Sequence, residues 1–137
     1  MTVSKQKKGA NMPGRRQTRQ RTWVHRVIRE APGPLTVPEI HEVVKKEMPQ
    51  TGIATVYRAV KLLLESHWIQ SVNMPTGETR YESADLGHHH HFQCELCGEV
   101  VDIHHCPMNI PKNMELPGGY ILHAHEITLY GICPACR

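Results

Sequence analysis

At 137 residues, 39% hydrophobic and 5% aromatic, the chain is long enough for one domain or two small ones, and either half alone buries little apolar surface. It carries no signal-peptide pattern and no apolar run long enough to span a bilayer, which argues against a secreted or membrane-embedded protein and for the reducing cytoplasm. The net charge of +3 is unevenly spread: residues 1–87 hold 14 Lys or Arg against 8 Asp or Glu, and residues 88–137 hold 2 against 5. A basic first half suits a polyanion, most often nucleic acid, although a solvated basic tail has the same composition.

Residues 1–14 are rich in Lys, Gly and Pro, have no periodic apolar positions and are expected to form a mobile basic arm. From Thr18 to Glu30, Trp23, Val24, Val27 and Ile28 recur at helical spacing until Ala31-Pro32-Gly33-Pro34 stops the helix. Thr36 followed by Glu39 reads as a capping box, opening a second helix with Ile40, Val43 and Val44 on its buried face and an end near Met48-Pro49. A third helix starts at Thr51 or Gly52, burying Ile53, Val56, Val60, Leu63 and Leu64 and presenting Thr55, Tyr57, Arg58 and Lys61 on its other side. Extended runs Trp68–Asn73 and Glu78–Glu82, joined by a turn with Pro75 and Gly77, complete the order of a winged helix-turn-helix. In that architecture the third helix enters the major groove. Further strands are expected over His88–Cys94, Glu99–Ile103 and Tyr120–Tyr130, giving a small, mostly antiparallel sheet whose open edges favour pairing with a second copy.

The last third holds the strongest chemical signal. Two C-x-x-C pairs, Cys94/Cys97 and Cys133/Cys136, present four thiols in the pattern of a closed tetrahedral Zn²⁺ site, and disulfides or redox dithiols are the weaker alternative in a reducing compartment. Four consecutive histidines on a strand alternate faces, so His89 and His91 point one way and His88 and His90 the other, which lets one strand serve two metal sites. His123 and His125 repeat the i, i+2 spacing on the last expected strand. Candidate oxygen ligands are Glu82, Asp85 and Asp102, and imidazole suits Zn²⁺, Fe²⁺, Mn²⁺ and Ni²⁺. His25, His41 and His67 are placed on helices of the basic half as ordinary residues.

Five segments carry a family resemblance: T-R-Q-R (18–21), A-T-V-Y-R (54–58), R-Y-E (80–82), H-H-H-H-F-Q-C-E-L-C-G (88–98) and H-E-I-T-L-Y-G-I-C-P-A-C (125–136). In order and spacing the chain resembles the ferric-uptake-regulator family of bacterial metal-responsive repressors over about residues 16–137. The resemblance implies an α+β protein, with a winged-helix DNA-binding domain over 15–84 and a small α/β dimerisation domain with structural zinc over 85–137. It implies structural zinc on Cys94, Cys97, Cys133 and Cys136, a regulatory site of Glu82, His89 and His91 at the hinge between domains, and an additional site of His88, His90 and His125 with Asp102. On the DNA side, Tyr57 and Arg58 match recognition-helix contacts, Thr55 lies in the same segment, and Arg16 matches a basic residue that reaches the minor groove. The chain departs from the pattern at Pro34 and Leu35, where many members carry a regulatory histidine, and at Asn109, where the additional site usually has a carboxylate. His104, His105 or Cys106 would have to substitute for the latter.

The function expected is a homodimeric, metal-dependent repressor of metal-homeostasis genes, acting on an AT-rich pseudo-palindromic duplex and sensing zinc, with iron, manganese or peroxide sensing as alternatives. A zinc hydrolase is disfavoured by the lack of an H-E-x-x-H motif, and a zinc store would leave the helix-turn-helix without a purpose.

Overall fold

The computed structural model describes residues 13–137, with side chains from Arg16 onward. The basic arm expected over 1–14 therefore lies outside the described residues except for Pro13 and Gly14, which already belong to a helix. The chain divides into two compact units, one ending at Asp85 and the other spanning Leu86–Arg137. No described helix is long and apolar enough to cross a membrane.

The first unit contains helices α1 (Pro13–Glu30), α2 (Val37–Glu47) and α3 (Ile53–Glu65) and strands β1 (Ile69–Asn73) and β2 (Thr79–Ser83). Helix α1 starts five residues before Thr18. Proline is tolerated in a first turn, and the Arg- and Gln-rich segment that follows favours helix without apolar periodicity, so a search for periodicity overlooks it. Thr36 caps α2 as expected: its Oγ1 accepts the Glu39 N–H at 3.3 Å, and the Glu39 carboxylate accepts the Thr36 N–H at 3.4 Å. Val24, Val27, Ile28, Ile40, Val44, Val56, Val60 and Leu63 pack with Ile69 into one core. Val43, expected inside, is 38% exposed, because the buried stripe of α2 runs through Val37, Ile40 and Val44.

Helix α3 ends in a left-handed turn. His67 has φ 60°, its N–H bonds to the Leu64 carbonyl at 3.1 Å, and the Trp68 N–H bonds to the Leu63 carbonyl at 3.0 Å. His67 is thus the helix terminator rather than a helical residue, and it turns the chain into the wing. In the wing, β1 and β2 pair antiparallel from Ile69 opposite Ser83 to Asn73 opposite Thr79. Leu35 exchanges backbone hydrogen bonds with Tyr81 at 3.0 and 2.8 Å, tying the residue before the α2 cap to the wing.

Arg80 reinforces that tie. Its side chain is 5% exposed, and its guanidinium meets Glu39 at 2.9 Å, donates to the Pro34 carbonyl at 3.0 Å and pairs with Glu78. Both carboxylates are about 40% exposed, so water screens part of the attraction. Arg80→Ala is expected to cost about 2 kcal/mol, the range of hydrogen bonds to charged groups. Urea denaturation of the full chain measures this, and a loss of less than ~0.5 kcal/mol would mean that the wing is held by Leu35 and Tyr81 alone.

The second unit is a sheet of β3 (His90–Cys94), β4 (Val100–Ile103) and β7 (Thr128–Gly131) in the order β4-β3-β7, plus the short pair β5 (Glu115–Leu116) and β6 (Tyr120–Ile121). It has no helix. Pro107, Pro111 and Pro117 interrupt its long connection, so the helical share of the α+β fold lies wholly in the first unit. Strand β3 pairs antiparallel with β4 but parallel with β7. Two of the three strand pairings of this unit are antiparallel, as expected, and the β3–β7 pairing is parallel: β4 carries the chain back to the start of β3, and the connection that follows leads into β7 beside it. The single strand expected over Tyr120–Tyr130 is two, β6 and β7, with 122–127 irregular between them.

Candidate metal centres and nucleic-acid interface

Parallel pairing brings the C-terminal ends of β3 and β7 to the same end of the sheet, with Cys94 directly beside Gly131. Each C-x-x-C hook begins at or just after one of those ends, so the hooks meet. Cys94, Cys97, Cys133 and Cys136 offer sulfurs that all lie within 4.8 Å of one another. The first hook is a tight knuckle: the Gly98 N–H bonds to the Cys94 carbonyl at 3.0 Å, and the Cys94 N–H bonds to the Glu99 carbonyl at 2.9 Å. Gly98 adopts φ 79°, which glycine accommodates without strain.

The sulfurs Sγ of Cys97 and Cys133 are 3.8 Å apart, far beyond a disulfide bond, and none of the five cysteines is in a disulfide. Electrostatics divides the four. The backbone N–H of Cys97, then that of Cys133, hold the Cys94 thiol down to about 6, while hydrogen bonding to the sulfurs of Cys133 and Cys97 pushes Cys136 up to about 12. Four crowded thiols resist ionising together, and a dication relieves that repulsion, so this donor set fits zinc.

On one face of β3 lie His89, just before the strand, and His91. Asp102 on β4 is the register partner of His91 and lies on the same face. Its Oδ1 is 3.5 Å from His91 Nε2 and 3.7 Å from His89 Nε2, and all three side chains are at least 87% buried. The His89 Nδ1 lies 2.9 Å from the Gly87 carbonyl, a contact that fixes its N–H there and turns the Nε2 lone pair toward Asp102. Two imidazoles and a carboxylate aimed at one point fit a divalent cation. This placement corrects the assignment of Asp102 to the additional site: strand alternation puts it with His89 and His91, away from His88 and His90.

The opposite face gathers His88, His90, His125 and Cys106, whose donor atoms also lie within 4.8 Å of one another. The Sγ of Cys106 is 3.4 Å from His125 Nε2. Its thiol is held down to about 5, first by the Ile110 N–H and, against desolvation, by His125, Met108 and His90. His125 belongs to the irregular segment ahead of β7. His123 is exposed and outside the set, because residues 122–127 do not keep strand alternation. Of the three substitutes open at the Asn109 gap, only Cys106 joins.

In the first unit, α3 buries Val56, Ala59, Val60 and Leu63, leaving Tyr57 53% exposed and Arg58 exposed. Arg58 donates to Thr55 Oγ1 at 3.0 Å. Arg16 of α1 lines one concavity with Thr55 and Arg58, and Tyr57 stands outside it. Gln17, Gln20, Arg21 and Gln50 line the same concavity; they were not singled out as site residues by sequence, since polar residues of these types are common on helices and turns. Glu82, on β2, is 4% exposed, and its Oε1 accepts a hydrogen bond from Gln70 Nε2 at 2.8 Å.

Three helices and a wing with a basic, polar helix face, followed in the chain by a small sheet that gathers cysteines and histidines into ligand sets, define a metal-binding winged helix-turn-helix protein. The family model described as "Ferric uptake regulator family" matches residues 12–130. The chain is 31% identical over 107 residues to the ferric uptake regulation protein of Bacillus subtilis (strain 168), covering 75% of this chain and 72% of that protein. It is 30% identical over 136 residues to the ferric uptake regulation protein of Campylobacter jejuni subsp. jejuni, covering 96% and 85%. Among solved structures it is similar to a zinc-bound manganese uptake regulator, with a TM-score of 0.66, 25% identity and coverage of 83% and 87%. The chain belongs to the ferric uptake regulator family of metal-responsive transcription regulators.

Proposed function

We propose that this protein is a homodimeric, metal-dependent DNA-binding repressor of metal-homeostasis genes, with zinc as its signal and zinc uptake as its target. The DNA-binding domain comprises residues 15–84 and the metal-binding dimerisation domain 85–137, in the cytoplasm. The observation that carries this reading is the set of His89, His91 and Asp102: three buried donors converge from one face of the sheet, and one histidine is oriented by the Gly87 carbonyl.

Glu82, three residues before the boundary between the units, is the fourth ligand in this proposal. Glu82, His89, His91 and Asp102 would hold a divalent ion, whose charge would offset that of the two carboxylates. The residues of the chain then act by population shift: a dimer whose recognition helices are held at one separation fits two half-sites of an AT-rich pseudo-palindrome. Moving such an equilibrium from 1:99 to 99:1 takes about 5.5 kcal/mol of differential binding. Tyr57 reads a thymine methyl, Arg58 a phosphate or guanine, and Arg16 reaches the minor groove, with Thr55 steadying Arg58. Strand β7 is a sheet edge bearing exposed Leu129 and Tyr130, followed by exposed Ile132, which supports pairing with a second copy.

Zinc is favoured because a mixed nitrogen and oxygen site binds it more tightly than iron(II) or manganese(II). The carboxylate of Asp102 favours a second reading, in which iron or manganese is sensed. Duplex-binding anisotropy with a palindromic AT-rich candidate, on protein retaining only its tightly held zinc, tests both readings. Metal-buffered Zn²⁺ is expected to switch binding on at far lower free concentration than Mn²⁺ or Fe²⁺. If Mn²⁺ or Fe²⁺ does so instead, the second reading replaces the first, and if no metal changes binding to any such duplex, both fall.

A further inference from the structure

We propose that the turn between α2 and α3 is a phosphate site, in which Thr51, Gln20, Arg19 and the N-terminus of α3 hold one phosphodiester of the bound duplex. The site is separate from the residues assigned to base reading, Tyr57 and Arg58. It rests on duplex binding by the first unit, but neither on the metal sensed nor on any metal ligand.

A cavity of about 330 Å³ opens at this turn, lined by Arg16, Arg19, Gln20, Glu47, Gln50 and Thr51. Thr51 is 4% exposed, and its Oγ1 has no hydrogen-bond partner among the described residues. Its backbone, by contrast, is pinned on both sides. The Thr51 N–H bonds to the Met48 carbonyl at 3.0 Å, and the Thr51 carbonyl accepts from His41 Nε2 at 2.8 Å, which fixes the imidazole proton on that nitrogen. A buried hydroxyl without a partner is a net cost to the fold, and one held at the wall of a polar cavity points to a ligand. Gln20, 6% exposed, lines the same cavity from α1.

The donors decide the class of ligand. Helix α3 is 13 residues long and begins at the same turn. Its N-cap is Gly52, which offers no side chain to the first N–H groups, and its first turn holds no acidic residue. Unpaired N–H groups at the positive end of a helix favour an anion. Arg16 and Arg19 outweigh Glu47, so the cavity wall carries net positive charge. Hydroxyl, carboxamide, guanidinium and N–H all donate, which suits the acceptor oxygens of phosphate. The position of the cavity names the source. Arg16 also lines the adjoining concavity with Thr55 and Arg58. With Arg16 at the minor groove and Arg58 at the major groove, the sugar–phosphate strand that divides the grooves passes between them, across the start of α3. A phosphate seated there fixes the depth and angle at which α3 enters the groove and carries no base information.

Anisotropy of the full chain on two duplexes, the palindromic AT-rich candidate and one of unrelated sequence, measured across a salt series, tests the site. Thr51→Val removes the hydroxyl and keeps the packing volume. It is expected to weaken both duplexes alike, by about 10-fold, the size of one hydrogen bond to a charged group, with the salt slope unchanged. Thr51→Ser should restore binding, and urea unfolding of both variants should match that of the unaltered chain. Arg19→Gln should lower the salt slope by about one, since one counterion fewer is released. Thr51→Val binding as tightly as the unaltered chain would overturn the proposal, as would a loss that Thr51→Ser does not rescue or that falls on one sequence only. Inorganic phosphate in place of chloride at equal ionic strength should affect the unaltered chain and Thr51→Val alike. Competition abolished only by Thr51→Val would give the site to free phosphate and overturn the duplex assignment. An unaltered chain that binds neither duplex at low salt, with or without metal, would instead bring down the duplex-binding reading and this site with it.

Discussion

Cys97→Ala is expected to release the tightly held zinc and to unfold residues 86–137, with loss of any dimer. Cys97 is exposed, so the substitution removes almost no packing, and a purely structural role for its side chain predicts an effect near zero. The cysteine-set reading predicts the opposite. The second unit is small, with three main strands, one Phe and two Tyr, and its fold needs a staple. Structural zinc contributes about 10–16 kcal/mol of apparent binding energy in small domains of this kind, more than such a unit gains from its own core. Metal content by elemental analysis, far-ultraviolet circular dichroism and sedimentation of the full chain measure the three effects together. A variant that kept one equivalent of tight zinc, its sheet and its association state would remove Cys97 from the ligand set.

His89→Ala is expected to leave the fold and the cysteine-bound zinc intact and to raise the free metal needed for DNA binding by more than about 100-fold, beyond the 10–100-fold loss seen for outer partners of ligands. The contrast with Cys97 follows from position. His89 precedes β3, and its replacement by Ala keeps the backbone groups on which sheet pairing rests, so the sheet is spared. What it removes is the nitrogen that lies 3.7 Å from Asp102 and is oriented by the Gly87 carbonyl. Anisotropy with a metal-buffered titration reads the shift, and unfolding measured in parallel separates signalling from stability. If His89→Ala lost its fold, the residue would belong to a structural site; if it bound duplex at unchanged free metal, the sensing assignment would fall on other ligands.

Much of the first unit was legible because local signals agreed with tertiary packing. Thr36 and Glu39 announced the start of α2, Pro75 and Gly77 the turn of the wing, and the apolar spacing of α3 its buried face. The start of α1 was hidden, since an Arg- and Gln-rich first turn has helix propensity but no periodicity. His67 was misplaced for a related reason: a left-handed terminator is usually glycine, and histidine at that position gives no local sign. The clamp at Arg80 was equally invisible, because only the folded chain brings Glu39, Glu78 and the Pro34 carbonyl to one guanidinium.

By itself the sequence determined the ligand inventory: two C-x-x-C hooks, four histidines split by strand alternation between two faces, and a further histidine near the last strand. Alternation is a covalent property of extended chain, so the split between His89/His91 and His88/His90 needed no knowledge of neighbours. Only the tertiary structure decided which partners each group meets. Antiparallel pairing of β3 with β7 would have set the two cysteine hooks at opposite ends of the sheet, about 13 Å or more apart for strands of this length. Parallel pairing puts both hooks at one end and His88, His90 and His125 toward the other. Register did the rest: the pairing of His91 with Asp102 assigns the carboxylate to one face, and the long irregular connection delivers Cys106 to the other. Register and crossover are non-local choices, set by how strands bury their sides against one another, and no spacing within a single segment encodes them.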